Sequence, residues 1–298
     1  MSETARKVVL ITGGTGFAGR AVGRLFEKNN WAVETITRGE SRLGLHHYDG
    51  TFDSLNAVIQ SVTPAVVVHL AALVPGAGQK EDIDNFIDAN IRLPLHLLEA
   101  MASGACRRIV VAGTFWQHRL GTDDYAPVDL YAATKQACFD LLQHYVDNAG
   151  FSAVELLLFD IYGPDDHRRK LINLLIDNCL TGAPLDMTPG DQEIDPVHVE
   201  DVASAFVVAA TRTGLSGPGK IERFAVRSAA PVTVRELTAT IERLSGRPLD
   251  IRWGARAYRE REVMKIWRGA ILPGWNPQIS LDAGLTELMV KRGVLRSQ

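Results

Sequence analysis

Lys7-Val-Val-Leu-Ile-Thr-Gly-Gly-Thr-Gly-Phe-Ala-Gly19 decides the fold. After Lys7 the run is continuously apolar, the pattern of a parallel strand covered on both faces. Glycines follow at 13, 14, 16 and 19, and then a helical pattern sets Phe17, Ala21, Val22, Leu25 and Phe26 on one side. Strand, glycine loop and helix in this order make a phosphate cradle. Side chains in the loop would block the tight turn, hold a pyrophosphate off the backbone N–H groups and keep the helix from closing on the strand. A plain glycine-rich turn is the alternative, and the flanking strand and helix argue against it.

Working outward, Ala32–Thr37 reads as a second strand that ends in Thr37-Arg38-Gly39. An NAD enzyme usually presents a carboxylate to the ribose 2′-hydroxyl at this point, whereas an arginine suits the 2′-phosphate of NADP. No acid stands at the strand tip, so NADP(H) is favoured and NAD(H) is the alternative. Arg38 could also be only a solvated turn residue. Pro64–Ala72 is a further buried strand, in which His69 reads as a hydrogen-bonded core residue rather than a catalyst. Ala71 and Ala72 at its end are small enough for a nicotinamide-side ribose to approach the backbone. Leu73–Gln79, with two glycines and a proline, is expected to be a loop at the substrate mouth. Asp84–Gly104 predicts one long helix.

Arg108–Gln117 reads as a strand running into its terminal loop, and Val154–Pro164 as the next strand. Open α/β sheets place their chemistry at carboxyl ends, which sites Thr114 to hydrogen-bond a substrate oxygen. Between these strands lies Asp129-Leu-Tyr-Ala-Ala-Thr-Lys-Gln-Ala137, with Asp129 as a natural N-cap and the helix ending near Gly150. Tyr131 and Lys135 are four apart and share one helix face. A neighbouring ammonium is expected to draw the phenol below its ordinary pKa of ~10, which would make Tyr131 a usable proton donor or acceptor.

The glycine loop, Thr114 and the Tyr131–Lys135 pair together resemble the extended short-chain dehydrogenase/reductase family, also called the NAD-dependent epimerase/dehydratase family. The wording Gly113-Thr-Phe-Trp-Gln-His118 with Leu130-Tyr-Ala-Ala-Thr-Lys-Gln-Ala137 looks like the CDP-abequose and CDP-paratose synthase subgroup, nucleotide-sugar 4-ketoreductases. The resemblance spans almost the whole chain. It implies a doubly wound parallel α/β sheet (Rossmann) with a smaller, discontinuous substrate-binding lobe. It implies cofactor contacts from Gly13, Gly16, Phe17, Gly19, Arg38, Asp49, Ala71, Ala72, Tyr131 and Lys135, with Asp49 at the adenine amino group and Asn90 bracing the active-site backbone. Thr114, Tyr131 and Lys135 would be catalytic. Phe115 and Trp116 stand where the related dehydratases carry an Asp-Glu pair, which disfavours elimination of water; the two rings would either touch substrate or serve as core aromatics. His118-Arg119 replaces the family's Tyr-Gly.

Residues 1–163, with 197–228 returning to them, are assigned to the dinucleotide-binding domain, and 164–196 with 229–298 to the substrate lobe. In the lobe, Arg168 and Arg169 of the run Asp165–Lys170 could grip the substrate pyrophosphate through forked hydrogen bonds, or simply form a solvated loop. Asp166 and His167 have no spaced partner, so no metal site is read. Ile194–Phe206 resembles the family segment that re-enters the nucleotide domain, with Asp201 as a helix cap. An amphipathic helix follows Thr233 to Gly246, then a strand over Pro248–Trp253, and Gly269–Leu285 resembles the family's proline-rich turn and short last helix.

The 298 residues are 46% hydrophobic and 22% charged, an ordinary composition for a globular chain. A net charge of −3 offers no basic field to nucleic acid or an acidic membrane surface. Cys106, Cys138 and Cys179 lie far apart with no CxxC, which disfavours a disulfide framework or zinc site and fits a reduced cytoplasm. Neither a signal segment nor an apolar stretch of the ~20 residues needed to span a bilayer is read. The expected partner is a nucleotide-diphosphate sugar, with the chain paired as a homodimer, a pairing the resemblance implies through the helices of 84–104 and 130–150. The expected reaction is NADPH-dependent reduction of a nucleotide-linked 4-keto-6-deoxyhexose. Alternatives are an NAD-dependent nucleotide-sugar 4-epimerase and a non-catalytic NADP-sensing protein.

Overall fold

Short β-branched runs alternate with amphipathic stretches, and they fold as alternating strands and helices. The computed structural model describes residues 6–74, 83–212, 218–228 and 230–296. In order these form β1 (Val8–Thr12), α1 (Phe17–Lys28), β2 (Ala32–Thr37), β3 (Leu45–His47), α2 (Phe52–Val62), β4 (Val66–His69), α3 (Ile83–Ile87), α4 (Leu93–Ser103), β5 (Arg108–Thr114), α5 (Leu130–Ala149) and β6 (Ser152–Leu158). There follow β7 (Asp160–Tyr162), α6 (Leu171–Thr181), β8 (Leu185–Met187), β9 (Glu193–Ile194), β10 (Pro196–His198), α7 (Val199–Thr211), β11 (Lys220–Val226), β12 (Val232–Thr233), α8 (Val234–Ser245), β13 (Ile251–Trp253) and α9 (Leu281–Lys291).

Seven strands pair in the order β11-β6-β5-β4-β1-β2-β3, every pair parallel. The period-two alternation of the strands splits the core in two. Val9, Ile11, Val66, Val68, Val110 and Ala112 face α1 and α7, which supply Val22, Phe26, Val202 and Phe206. Leu10, Val67, Ile109, Val111 and Ala153 face α2, α4 and α5, which supply Leu55, Ile59, Leu97, Met101 and Leu142. The fold is therefore doubly wound. From β1 the chain goes one way to β2 and β3 and then crosses to β4, and this reversal opens a crevice between β1 and β4.

A third core cluster joins Ile172, Leu175 and Ile176 of α6 to Leu237 and Ile241 of α8 and Leu285 and Leu288 of α9. Two small sheets accompany it, β8 with β13 and β9 with β12. Between these pieces the chain returns through α7, which packs on α1, to β11 at the edge of the large sheet.

Several expectations need correction. The helix over 84–104 is interrupted by a π turn at Asp88–Arg92, where the Leu93 N–H reaches back to the Asp88 carbonyl. Pro94 explains the break, because it has no N–H and its ring would crowd the carbonyl four residues earlier, that of Asn90. The strand over 108–117 stops at Thr114 and passes into a 3₁₀ turn, Phe115–Gln117. Helices α2 and α6 were unanticipated, although Thr51 caps α2 and Leu55, Val58 and Ile59 repeat at helical spacing on its buried side. Asp201 is not a cap; His198 caps α7, and the Asp201 carboxylate accepts from the backbone N–H of Gln278 (2.9 Å) and Ile279 (3.0 Å), tying down the C-terminal segment. Residues 75–79 of the expected loop over 73–79 lie outside the described residues.

Candidate active site

The crevice is closed by backbone against backbone. Gly13 adopts a left-handed φ of 74° and its carbonyl accepts from Gly16 N at 3.0 Å. A Cβ on Gly13 would stand 2.7 Å from Ala71 N, and one on Gly19 would run into the Gly13 carbonyl. Loop, helix and the exit of β4 are thus in direct contact. Helices α2, α5, α8 and α9 are each capped by a Thr, Asp or Ser side chain, whereas α1 starts at Gly16 with no side-chain cap and no acid in its first turn. Its leading N–H groups remain available to an anion, and this donor set fits a dinucleotide pyrophosphate.

Beneath the loop, Ala71 N donates to Thr12 Oγ1 (3.2 Å), which lies 2.7 Å from His69 Nδ1. Burial, with the Lys135 charge added, lowers the His69 pKa to about 3, so the ring is a neutral core partner of Thr12. Arg38 is exposed just beyond β2. The Asp49 carboxylate accepts from Thr51 Oγ1 (2.6 Å) and Thr51 N (2.8 Å), and these bonds, with Ser54, hold its pKa at about 2. Asn90, inside the π turn, accepts from Leu73 N (2.8 Å) and donates to Leu73 O and Thr134 Oγ1, both at 3.0 Å. It therefore ties the chain leaving β4 to α5.

At the carboxyl end of β5, Thr114 Oγ1 accepts from Trp116 N (3.3 Å), which leaves its O–H free to donate, and Thr114 N is held by Gln117 Oε1 (3.0 Å). On α5, Asp129 Oδ1 accepts from Ala132 N at 2.9 Å and fixes the first turn. The Tyr131 ring meets Trp116 edge-on, with centroids 6.4 Å apart. Burial pushes the phenol well above its ordinary pKa, Asp129 adds to the rise, and the cation that opposes it is Arg168. This corrects the expectation for Lys135. Its ammonium acts instead on His69, Cys138 and Glu155. One-face spacing on a helix does not say where a long side chain ends. Tyr131 in this state is a neutral phenol with a proton to give.

The candidate substrate residues divide. Phe115 is a core residue stacked on Phe159 at 4.6 Å and does not belong to the cleft. Trp116 is only partly buried and lies between Tyr131 and Arg259, whose guanidinium sits 5.7 Å from the ring centroid. Arg168 makes a bidentate pair with Asp166 (2.6 and 2.7 Å) and lies 5.0 Å over Phe17 of the glycine loop, so it bridges the loop and the Tyr131 pocket. Arg169 is exposed on the same segment.

Three polar groups were not anticipated. Arg259 belongs to a cation-rich stretch with Arg252, Arg256, Arg261, Lys265 and Arg268, a charge run that could have drawn attention. Asp160, an acid in an apolar run just past β6, has its Oδ2 buried without a hydrogen-bond partner; burial raises its pKa, and Lys170 and Arg259 oppose the rise. Asp195 is pushed up to about 6, by burial first and by the Asp160 charge in addition, although it accepts from Ser228 N at 2.8 Å. Arg259, which sits over Trp116, and Lys170 thus act on Asp160, which in turn acts on Asp195.

A doubly wound parallel sheet with a glycine loop between β1 and α1, Thr114 at the end of β5, and Tyr131 and Lys135 four apart on α5 has the architecture of a short-chain dehydrogenase/reductase. More narrowly, the chain belongs to the NAD dependent epimerase/dehydratase family, whose model matches residues 9–221. CDP-abequose synthase of Yersinia pseudotuberculosis is 26% identical over 261 residues, covering 86% of this chain and 90% of that one. UDP-glucuronate 4-epimerase of Thermodesulfobacterium geofontis is 24% identical over 317 residues, 93% of each. Among solved structures, MoeE5 in complex with UDP-glucuronic acid and NAD superposes with a TM-score of 0.81 at 23% identity, over 96% of this chain and 99% of that one, and so shares the fold. Among the described residues no helix is long and apolar enough to cross a membrane.

Proposed function

We propose that the protein reduces a nucleotide-linked 4-keto-6-deoxyhexose to the 4-hydroxy sugar with NADPH. The observation that carries this reading is the meeting of Tyr131, Trp116 and Arg168 beside the glycine loop, with an aromatic pair after Thr114 where elimination of water would need acids. Likeness to CDP-abequose synthases adds to it. Bound NADPH supplies a hydride. The Thr114 O–H polarises the substrate carbonyl, and Tyr131 Oη, protonated in its buried setting, gives its proton to the oxygen that becomes the hydroxyl. Lys135 holds the nicotinamide-side ribose, with Asn90 bracing the chain beneath. Arg38 meets the 2′-phosphate, Asp49 the adenine, and the first turn of α1 the pyrophosphate. Arg168, Arg169 and Arg259 grip the sugar diphosphate, and Trp116 walls the hexose.

The experiment is NADPH oxidation with a panel of CDP-, dTDP- and GDP-linked 4-keto-6-deoxyhexoses. Oxidation with one of them, slowed by about 10²–10⁴ in Tyr131→Phe, is the expected result; silence across the panel defeats the reading. Likeness to UDP-glucuronate 4-epimerase over 93% of the chain favours a 4-epimerase as the second reading. It predicts copurifying NAD and no net consumption of reduced cofactor. We also place the enzyme in the cytoplasm as a homodimer paired through α3, α4 and α5, where Ile83, Ile87, Leu95 and Leu130 are exposed apolar residues. A monomer in light scattering would overturn that pairing.

A further inference from the structure

We propose that Asp166, buried in the segment between β7 and α6, is a positioning residue that aims the Arg168 guanidinium across Phe17 toward the diphosphate of the nucleotide ligand. The inference rests on the reading of Arg168 as part of the diphosphate grip and adds the group that gives the grip its direction. A guanidinium on a long side chain has many rotamers, and an anion gains most from one that is already fixed before it arrives. Here the fixing is built in. The Asp166 side chain is 3% exposed. Its Oδ1 accepts from Arg168 Nε (2.6 Å) and from the Arg168 backbone N–H (3.1 Å), and its Oδ2 accepts from Arg168 Nη2 (2.7 Å). Carboxylate and guanidinium thus meet fork to fork, which sets the plane of the guanidinium as well as its place.

The turn that carries the pair is itself held. Asp166 N donates to the Gly163 carbonyl at 3.2 Å, and the buried Asn173 of α6 donates through Nδ2 to the carbonyls of Asp166 and Arg168, both at 2.8 Å. The Phe17 ring, 5.0 Å from the guanidinium, supports it from the glycine loop. Of the five N–H donors of Arg168, the carboxylate takes the Nε and Nη2 edge, and the Nη1 edge is left for a ligand. The side chain is 45% exposed, so that edge can be reached. Pairing also cancels charge, which weakens the pull on an anion. Aim and neutralisation therefore act with opposite signs, and affinity shows which one governs.

The test titrates CDP, UDP, dTDP and GDP into the full chain by calorimetry, in excess NADPH and NADH so that the cofactor crevice is filled, and follows NADPH affinity separately by fluorescence. Asp166→Asn is expected to weaken the tightest of the four about tenfold while NADPH binds as before. Arg168→Lys keeps the charge and loses the fork, and is expected to cost about the same. In the Arg168→Lys background, Asp166→Asn costs nothing further, because the carboxylate acts only through the guanidinium. Should Asp166→Asn melt too early to titrate, the exposed Arg168→Lys decides alone. Tighter diphosphate binding in Asp166→Asn would show neutralisation in command and overturn the proposal. So would native affinity in Arg168→Lys, losses that add, a parallel fall in NADPH affinity, or a native chain that binds none of the four. These measurements use neither a sugar nor a hydride, so a failed ketoreductase panel leaves this result standing.

Discussion

On the β1–β4 side of the cleft the fit is made by main chain: the Gly13 carbonyl against α1, Ala71 N against the loop, and N–H groups of α1 with no side chain over them. On the β6–β7 side it is made by long charged side chains, with Arg168 across Phe17, Arg259 over Trp116, and Asp160 with an oxygen that nothing in the described chain satisfies. A backbone site has one solution, because no rotamer can relieve a Cβ placed inside it. A side-chain site can be retuned one residue at a time. That contrast fits a chain whose relatives are named as a synthase, an epimerase and a dehydratase.

The contrast can be broken most severely at Gly19. Gly19→Val should remove dinucleotide binding altogether and lower stability by about 3 kcal/mol, read by fluorescence titration and melting; retained binding would mean the backbone contact is not the constraint. Tyr131→Phe should cut turnover by about 10²–10⁴ while NADPH binds as before. On the charged side, Arg259→Met should raise KM for the nucleotide sugar about tenfold with kcat nearly kept, and an unchanged KM would remove Arg259 from the diphosphate grip. Arg38→Glu should shift preference from NADPH toward NADH by about tenfold, measured as the ratio of the two affinities.

The smallest effect concerns pH. Asp195, raised to about 6 in the folded chain, binds its proton more readily than in the unfolded chain. Stability from this group is therefore complete below about pH 4 and is lost as pH rises toward 6. Asp195→Asn should melt later than the native protein at pH 8, by ~1–3 kcal/mol, and show little gain at pH 4. Equal gains at both pH values would place the effect in packing rather than in the charge.

How much was legible follows from the same contrast. The glycine loop, β1 and β2 are local statements and the sequence places them to within a residue or two, whereas the strand read over 154–164 divides into β6 and β7, which pair in different sheets. Thr114 was singled out by its place at a strand end and Tyr131 by its spacing to Lys135, whereas Asn90 came from the family resemblance alone, because the π turn that holds it leaves no local signature. The Tyr131 pKa was not, because desolvation is a property of what packs around the ring, and the cation acting on it, Arg168, lies 37 residues away in sequence. Arg259 is more distant still, and only tertiary packing brings it over Trp116. Pro94 was visible in the sequence, yet whether a proline bends a helix or adds a residue to it depends on the sheet against which both halves must lie.

The π turn at 88–92 holds one more residue than a regular turn. An α-helix rotates about 100° per residue, so deleting Ala89 would swing either Phe86 or the Leu97–Met101 stripe off the hydrophobic interior. Asn90, which clamps Leu73, would turn away with it. The extra residue works as a phase adjuster between two anchored segments, and shortening this helix by one position should therefore do more harm than replacing any single side chain along it.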